Sequence, residues 1–458
     1  MMLLRLLRAA RLAAALVSLC AALPGCAHHR AIAPLVSDLH PAGSVLLDLG
    51  AVKRQLDALR PARPVDDWTM YAHDAMRSAY QPQNVGITRS NLSRLRLAWR
   101  VRLDGRTKAS PIVAGGVAYF ATQRGTLFAL DAATGIRRWT TVVGKGEDIS
   151  MTPTLAASTI FVGSESGTFA AVDARSGKIV WKVTLPGARR GEPIVVGNDV
   201  IEGQAGGDPP DCVRGGVDAF DIRTGGAKWS WHVSDLAADG GSVWSPISFD
   251  GRHLFFGTGN TCHHTAPYAD ALISLAPDGT LVWASTSQDS RIDDDLGSAA
   301  QRFGTVIVIP GKDGTILAID ATNGKRLARR KIPYAVDGFG SIGAPSTNGT
   351  TLVVTGGSSD SPAVAHITGS LAGFDRHLHV KWKMRTPFPN WGYVAIADGI
   401  GFTTLGTHLA ALDPDTGRVL WRAPLATDSY ASPVVVPSGI YAVDYVGNAY
   451  AFREPGGS

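Results

Sequence analysis

Two short stretches hold most of the side chains that could do chemistry. Asp293-Asp-Asp295, with Asp289 just ahead of it, gathers carboxylates that either act as acid–base groups or form a solvated loop face. Cys262-His263-His264 brings a thiol and two imidazoles together, but zinc sites need a second spaced ligand cluster, and the chain has none. No Cys-x-x-Cys-His occurs, so no covalent haem is built in, and a redox activity would need an external electron acceptor. Phosphate-binding loops, nucleophile elbows and zinc-protease helices are also absent.

These residues sit in a chain built for strands and turns. It has 458 residues, 45% of them hydrophobic and only 18% charged, with 52 Gly and 26 Pro. So many turn-formers exclude a helical bundle or coiled coil, and the apolar content excludes a disordered tail. With 4 Cys the chain is no disulfide scaffold.

Residues 1–25 read as an export signal. Arg5, Arg8 and Arg11 form the positive region, and Leu12 to Leu23 an apolar run too short to span a bilayer. Leu23-Pro24-Gly25-Cys26 resembles a bacterial lipobox, which makes Cys26 the expected lipidation site and places the mature protein on the periplasmic side of the envelope, tethered by 26–65 to the outer membrane. Removing the segment takes away three arginines and no acid, so the formal +5 falls to +2 and no basic surface remains to favour nucleic acid.

From residue 66 to 458 the chain repeats itself. Asp131-Ala-Ala-Thr-Gly135 is followed by Trp139, Asp173 and Gly177 by Trp181, Asp221 and Gly225 by Trp229, and Asp413 and Gly417 by Trp421. Weaker copies keep part of the pattern: Gly279 and Trp283 behind Leu275, Asp320 and Gly324 without a tryptophan, Asp375 with Trp382 one place early. Each unit is a β-run, a tight turn with glycine where φ must be positive, and a second run carrying a large aromatic. With the runs that precede it, a unit of roughly 46 residues makes four strands, the size of a propeller blade. The last unit, Ala449 to Arg453, lacks its outer strand, while Leu95 to Arg100 stands unpaired before the first. Lending that strand to the last blade removes an open sheet edge and predicts an all-β, eight-bladed propeller closed by an N-terminal strand. Cys212 and Cys262 then lie in loops of consecutive blades after equivalent strands, and a disulfide between them is expected.

The repeat Ala-x-Asp-x-x-Thr-Gly-x-x-x-Trp resembles that of the pyrroloquinoline quinone (PQQ) propellers, from about Trp68 to Phe452. That family holds quinoprotein alcohol dehydrogenases and the quinone-free lipoprotein of outer-membrane protein assembly. The opening segment Asp66-Asp-Trp68-Thr-Met-Tyr71 is similar to that of the dehydrogenases. The resemblance implies calcium ligands at Asp208 and Asn260, a floor for the quinone at Trp244, and a late pocket loop at Trp391. It implies catalytic roles for Asp289 or Asp295 as base and for Lys312 as the cation beside the reactive carbonyl. The implied activity is oxidation of an alcohol or sugar with PQQ and calcium. The chain departs from the family where Ile149-Ser-Met151-Thr-Pro153 stands in place of an adjacent cysteine pair, and where Asp208 replaces a glutamate. The alternative expectation is a non-enzymatic envelope scaffold that binds other envelope proteins.

Overall fold

The computed structural model describes residues 67–455, apart from 145, 147, 207–211, 237–238, 263–265, 287–294, 304, 336–339 and 360–366. The export signal, Cys26, the tether, Asp208, Asp289, Asp293 and Asp294 lie outside the described residues, as does the side chain of Asn260. No described helix is long and apolar enough to cross a membrane.

Eight sheets form the blades of a propeller, antiparallel except where Tyr80–Gln81 pairs in parallel with Ala395–Ala397 of blade 7. Blade 1 runs from its innermost strand Ile112–Ala114 through Val117–Ala121 and Thr126–Asp131 to the outer strand Arg137–Val142. The pattern repeats to blade 8, whose strands Val434–Val436, Gly439–Val443 and Asn448–Arg453 are completed by Arg96–Arg102. In that closing pair Arg96 faces Arg453 and Arg102 faces Asn448, so the ring is sealed by the N-terminal strand and no sheet edge is left open there.

The tryptophans of the repeat explain the ring. In each hairpin turn the aspartate caps its own loop: Asp131 Oδ1 accepts from the amides of Ala133 and Thr134, at 3.1 and 2.9 Å. Gly135 follows at φ +73, and the Trp99 indole of the preceding blade lies flat on it, since an added Cβ would come within 2.8 Å of the ring. The same contact joins Trp139 to Gly177, Trp181 to Gly225, Trp229 to Gly279, Trp283 to Gly324 and Trp382 to Gly417. Five of the six indoles also donate to a carbonyl of that turn, as Trp283 does to Ala321 at 3.1 Å. Trp229 is the exception: its Nε1 has no partner among the described residues, and its target turn is the one in which Leu275 replaces the aspartate.

Two irregular copies turn out to be one compensated substitution. Where blade 5 should carry a tryptophan it has Ala328, and where the turn of blade 6 should carry a glycine it has Leu378, held at φ +59. Leu378 is buried in the cluster against which Ala328 rests, so the bulk missing from one blade is supplied by the next.

The segment Trp68–Gln81 closes one end of the central channel. Trp68 exchanges two backbone hydrogen bonds with Val113 of blade 1, and Leu155, Phe249 and Ile396 donate to Thr69, Ala75 and Ala79 from blades 2, 4 and 7. Arg77, wholly buried, ties blades 3 and 4 together: Nε donates to the Ile247 carbonyl at 2.9 Å, and Nη2 to those of Glu192 and Pro193 at 3.3 and 3.2 Å. Its Nη1 holds the Tyr71 carbonyl at 3.1 Å. A guanidinium in this position satisfies carbonyls that a ring of innermost strands otherwise leaves bare.

Candidate functional site

Above the threaded segment lies a cavity of about 110 Å³. Tyr71 reaches it from the segment, and the loops entering the innermost strands supply the walls, among them Lys108 and Ser110, Ser150 to Thr152, Glu192, Trp244, Trp391 and Ser432.

Trp244 is positioned by blade 3 and by its neighbour. Strand Gly240–Ser242 pairs with Gly259–Thr261 and joins the blade 3 sheet through Ala205, which delivers Trp244 to the cavity wall. The indole lies against Gly297, where any Cβ would overlap it. Its Nε1 donates to Asp295 Oδ2 at 3.2 Å, and Lys312 Nζ donates to the same oxygen at 3.4 Å. Lys312 Nζ also stands 5.7 Å from the centre of a Trp244 ring, so cation, carboxylate and indole form one unit. Asp295 is 2% exposed, and its carboxyl fills the space beside Gly259 that a side chain there would take. A buried carboxyl with a lysine and an indole N–H on it is held in one orientation.

Of the residues singled out in the sequence, the fold therefore brings together Trp244, Asp295 and Lys312, with Trp391 on the same cavity. Trp391 stacks on Tyr430 at 6.4 Å between ring centres, and Tyr430 meets Tyr445 at 4.9 Å, an aromatic edge leading away from the cavity. Cys212 and Cys262 form a disulfide with their Cα atoms 6.2 Å apart, tying the loop after the second strand of blade 3 to the strand beside it. Asn260 belongs to strand Gly259–Thr261, next to the glycine that Asp295 covers. Asp208 and Asp289 fall outside the described residues, and the loop holding Ser150 and Met151, where the family has its cysteine pair, does line the cavity.

Sequence reading missed Glu192. The residue two or three positions before each innermost strand is small or hydroxylated in most blades, and these side chains stitch the blades together around the channel. The Ser110 amide donates to Thr152 Oγ1 at 3.1 Å, Ser298 Oγ to the Gly343 carbonyl at 2.7 Å, and the Ser432 amide to Ser110 Oγ at 3.0 Å. Blade 3 has a glutamate in this place. The signal was available: Ser110, Thr152, Ser245 and Ser432 all precede a proline, as Glu192 does. Glu192 is 6% exposed and lines the cavity. Burial pushes its carboxyl up to about 8, against the opposing pull of Arg77 and of the amides of Glu192 and Thr152.

A PQQ-repeat family model described as outer membrane protein assembly factor BamB matches residues 145–338 and 312–457, more than half of the chain. A second, described as the β-propeller domain of glucose/ethanol/alcohol dehydrogenase, matches residues 68–151. The chain belongs to the PQQ-repeat β-propeller family. Among its relatives is the dehydrogenase subunit of the quinone alcohol dehydrogenase of Gluconacetobacter polyoxogenes, 26% identical over 344 residues, covering 58% of this chain and 46% of that one. The chain thus spans about half the length of the curated relatives that it matches. The fold is shared with the quinohemoprotein alcohol dehydrogenase of Comamonas testosteroni, at a TM-score of 0.70 and 20% identity over 86% of this chain and 82% of that one. It is shared less closely with BamB of Moraxella catarrhalis, at 0.55 and 16% over 78% and 99%.

The cavity's chemistry can be compared with what such a group needs. A flat, polyanionic quinone calls for an aromatic surface and for donors; Trp244 and Trp391 supply the first and Lys108 the second, while the Ser150 hydroxyl already donates to Asp148 Oδ1 at 2.9 Å. At about 110 Å³ the cavity is smaller than the ~300–1,000 Å³ common for such ligands. Glu192 fits only when neutral, because an ionised carboxylate would repel an anionic ring. For a metal, the described residues contain no cluster of three or more His, Cys, Asp or Glu side chains suited to it. The calcium ligands expected from the sequence, Asp208 and Asn260, are those whose side chains lie outside the description.

Proposed function

We propose that this protein is a quinoprotein-dehydrogenase-like enzyme that oxidises an alcohol or a sugar hydroxyl with PQQ and calcium, passing electrons to an external acceptor. The observation that carries this reading is that Trp244, in the wall of the central cavity, is joined to Asp295 and Lys312. When bound, the quinone supplies the hydride acceptor. Trp244 would offer an aromatic surface to a flat ring, and Asp208 and Asn260 are the residues that would hold calcium. Asp295, paired with Lys312, would accept the hydroxyl proton of the substrate, the base that oxidation of an alcohol to a carbonyl compound requires. Lys312 then balances the charge near the reacting oxygen. Export and lipid attachment through Cys26 complete the proposal, supported by the composition of residues 1–26.

The test is reconstitution with PQQ and calcium, followed by dye-linked oxidation of a panel of primary alcohols and sugars. Turnover that falls about 10³-fold in Asp295→Asn supports the assignment; equal turnover in both proteins removes it. The second reading, an envelope scaffold, is favoured by the match to the assembly-factor model over residues 145–457. It gains ground if the purified protein captures envelope proteins and oxidises nothing.

A further inference from the structure

We propose that the outer strands of blades 5 and 6, with Tyr334 between them, form a docking surface for an anionic lipid bilayer. The surface lies on the side of the ring, outside the central cavity, and the inference stands without the quinone reading.

Charge singles these strands out. Arg326–Lys331 of blade 5 carries four cations in six residues, and Val380–Thr386 of blade 6 carries three in seven. The matching strands of blades 2, 4 and 7, Ile179–Thr184, Leu281–Thr286 and Val419–Pro424, hold one cation, none and one. Residues 325–334 and 376–385 together hold nine lysines and arginines and no acid, while the chain after residue 25 is only +2, which leaves −7 for the rest of it. Two of the nine are answered: Asp313 takes Arg329 at 2.7 Å, and Asp415 takes Lys381 at 2.8 Å. Among the described residues no carboxylate pairs with Arg326, Arg330, Lys331 or Lys383. Cations on an edge strand keep other strands from pairing with it, yet the edge of blade 4 does without any.

The second observation is aromatic. Tyr334, in the loop leaving the blade 5 strand, is held at φ +65, a left-handed conformation that bulky side chains rarely adopt. There its ring meets both Lys383, whose Nζ is 5.2 Å from the ring centre, and Arg385, whose Cζ is at 4.7 Å. Lys383 and Arg385 are two apart on one strand and point to the same side, so the ring gathers two like charges that repulsion would otherwise spread. Phe388, three residues beyond Arg385, is 42% exposed. Cations around exposed aromatic rings are the composition of a membrane-interface anchor, in which the rings sit at headgroup depth and the long side chains reach phosphates. Each strand spans roughly 20 Å, so the cations are spread over two edges rather than gathered in a pocket. Lipid phosphates move laterally and match such a spread, whereas an acidic protein segment needs a fixed register or a groove.

The experiment is co-sedimentation of the full chain, exported and carrying Cys26→Ser so that no acyl chain contributes. One set of vesicles holds equal parts phosphatidylglycerol and phosphatidylcholine, and the other phosphatidylcholine alone. Binding to the first and not to the second, weakening as salt rises, is expected. Arg330→Gln with Lys383→Gln should lower the partition about fivefold per charge, or ~25-fold together. Arg137→Gln with Lys182→Gln removes the same charge from the outer strands of blades 1 and 2, across the ring, and should change it by less than about twofold. All four side chains are exposed, so both variants should fold. Tyr334→Gly suits the backbone and removes the ring; it should unfold at no lower temperature yet bind about threefold more weakly. Equal losses in the two double variants would reduce the effect to net charge and overturn the proposal. Equal binding to both vesicles, or binding to neither, would overturn it too. So would binding to soluble polyglutamate through Lys383 without binding to vesicles, which would assign the surface to an acidic protein.

Discussion

The rim of the ring and its centre follow opposite rules. At the rim, six blade interfaces use the same parts, a tryptophan laid on the next blade's turn glycine, and even the blade 5 to blade 6 exception conserves the total bulk through Ala328 and Leu378. At the centre, one equivalent position is serine, threonine, glutamate, alanine or tyrosine in different blades. Repetition marks what holds the ring together, and divergence gathers at the central cavity, where we propose a ligand binds. Blade 3 diverges most, with Glu192 at the cavity and Glu202 and the Arg189–Asp218 pair buried behind it.

The sharpest way to break this division is at Arg77, where the centre also does structural work. Arg77→Ala strips four buried carbonyls of their donor, and an unfolding free energy lower by about 4 kcal/mol is expected from denaturant titration. An unchanged midpoint would show that the threaded segment is not part of the cooperative fold. At the rim, Trp283→Ala should cost about 3 kcal/mol through the void it leaves above Gly324, with no effect on ligand binding.

Glu192→Gln should act in the reverse direction. The Glu192 carboxyl is raised from 4.5 to about 8 in the fold, so folding takes up a proton between those values. Its contribution is fully present below pH 4.5 and is lost as pH rises through 8. The variant should match the natural protein near pH 4 and exceed it by on the order of 1–3 kcal/mol at pH 8. Parallel stability curves would show that the acid is not buried as described.

The smallest effect belongs to the compensated pair. Ala328→Trp alone overfills the interface that Leu378 occupies, whereas Ala328→Trp with Leu378→Gly restores the common geometry. A double-mutant cycle should return a coupling of about 1 kcal/mol in favour of the pair. Strict additivity would mean that the two residues do not share a contact.

Much of this was legible in the sequence because the rim repeats. Asp131, Gly135 and Trp139 recur at fixed spacing, which predicts the blade count, and the missing last strand predicts closure by Leu95 to Arg100, as the pairing with Asn448–Arg453 shows. The compensation between Ala328 and Leu378 was hidden because its two halves look like separate defects in separate copies. Arg77 carries no pattern at all; its partners are backbone carbonyls of distant blades, which leave no trace in side-chain identity. Glu192 lies outside the turn motif; its equivalents show only in the X-Pro pairs ahead of the innermost strands, such as Ser110-Pro111 and Thr152-Pro153. Trp244, Asp295 and Lys312 were found by resemblance, and only the fold shows that they touch.

The central claim is that the divergent centre, and not the repeated rim, is where the quinone binds. Titration of PQQ and calcium into the natural protein, Trp244→Ala and Trp283→Ala tests it directly. One equivalent should bind to the natural protein and to Trp283→Ala with equal affinity under conditions where both are folded. Trp244→Ala should bind at least about tenfold more weakly, a loss of ~1.4 kcal/mol. Equal affinity in Trp244→Ala, or no binding to any of the three, would contradict the account.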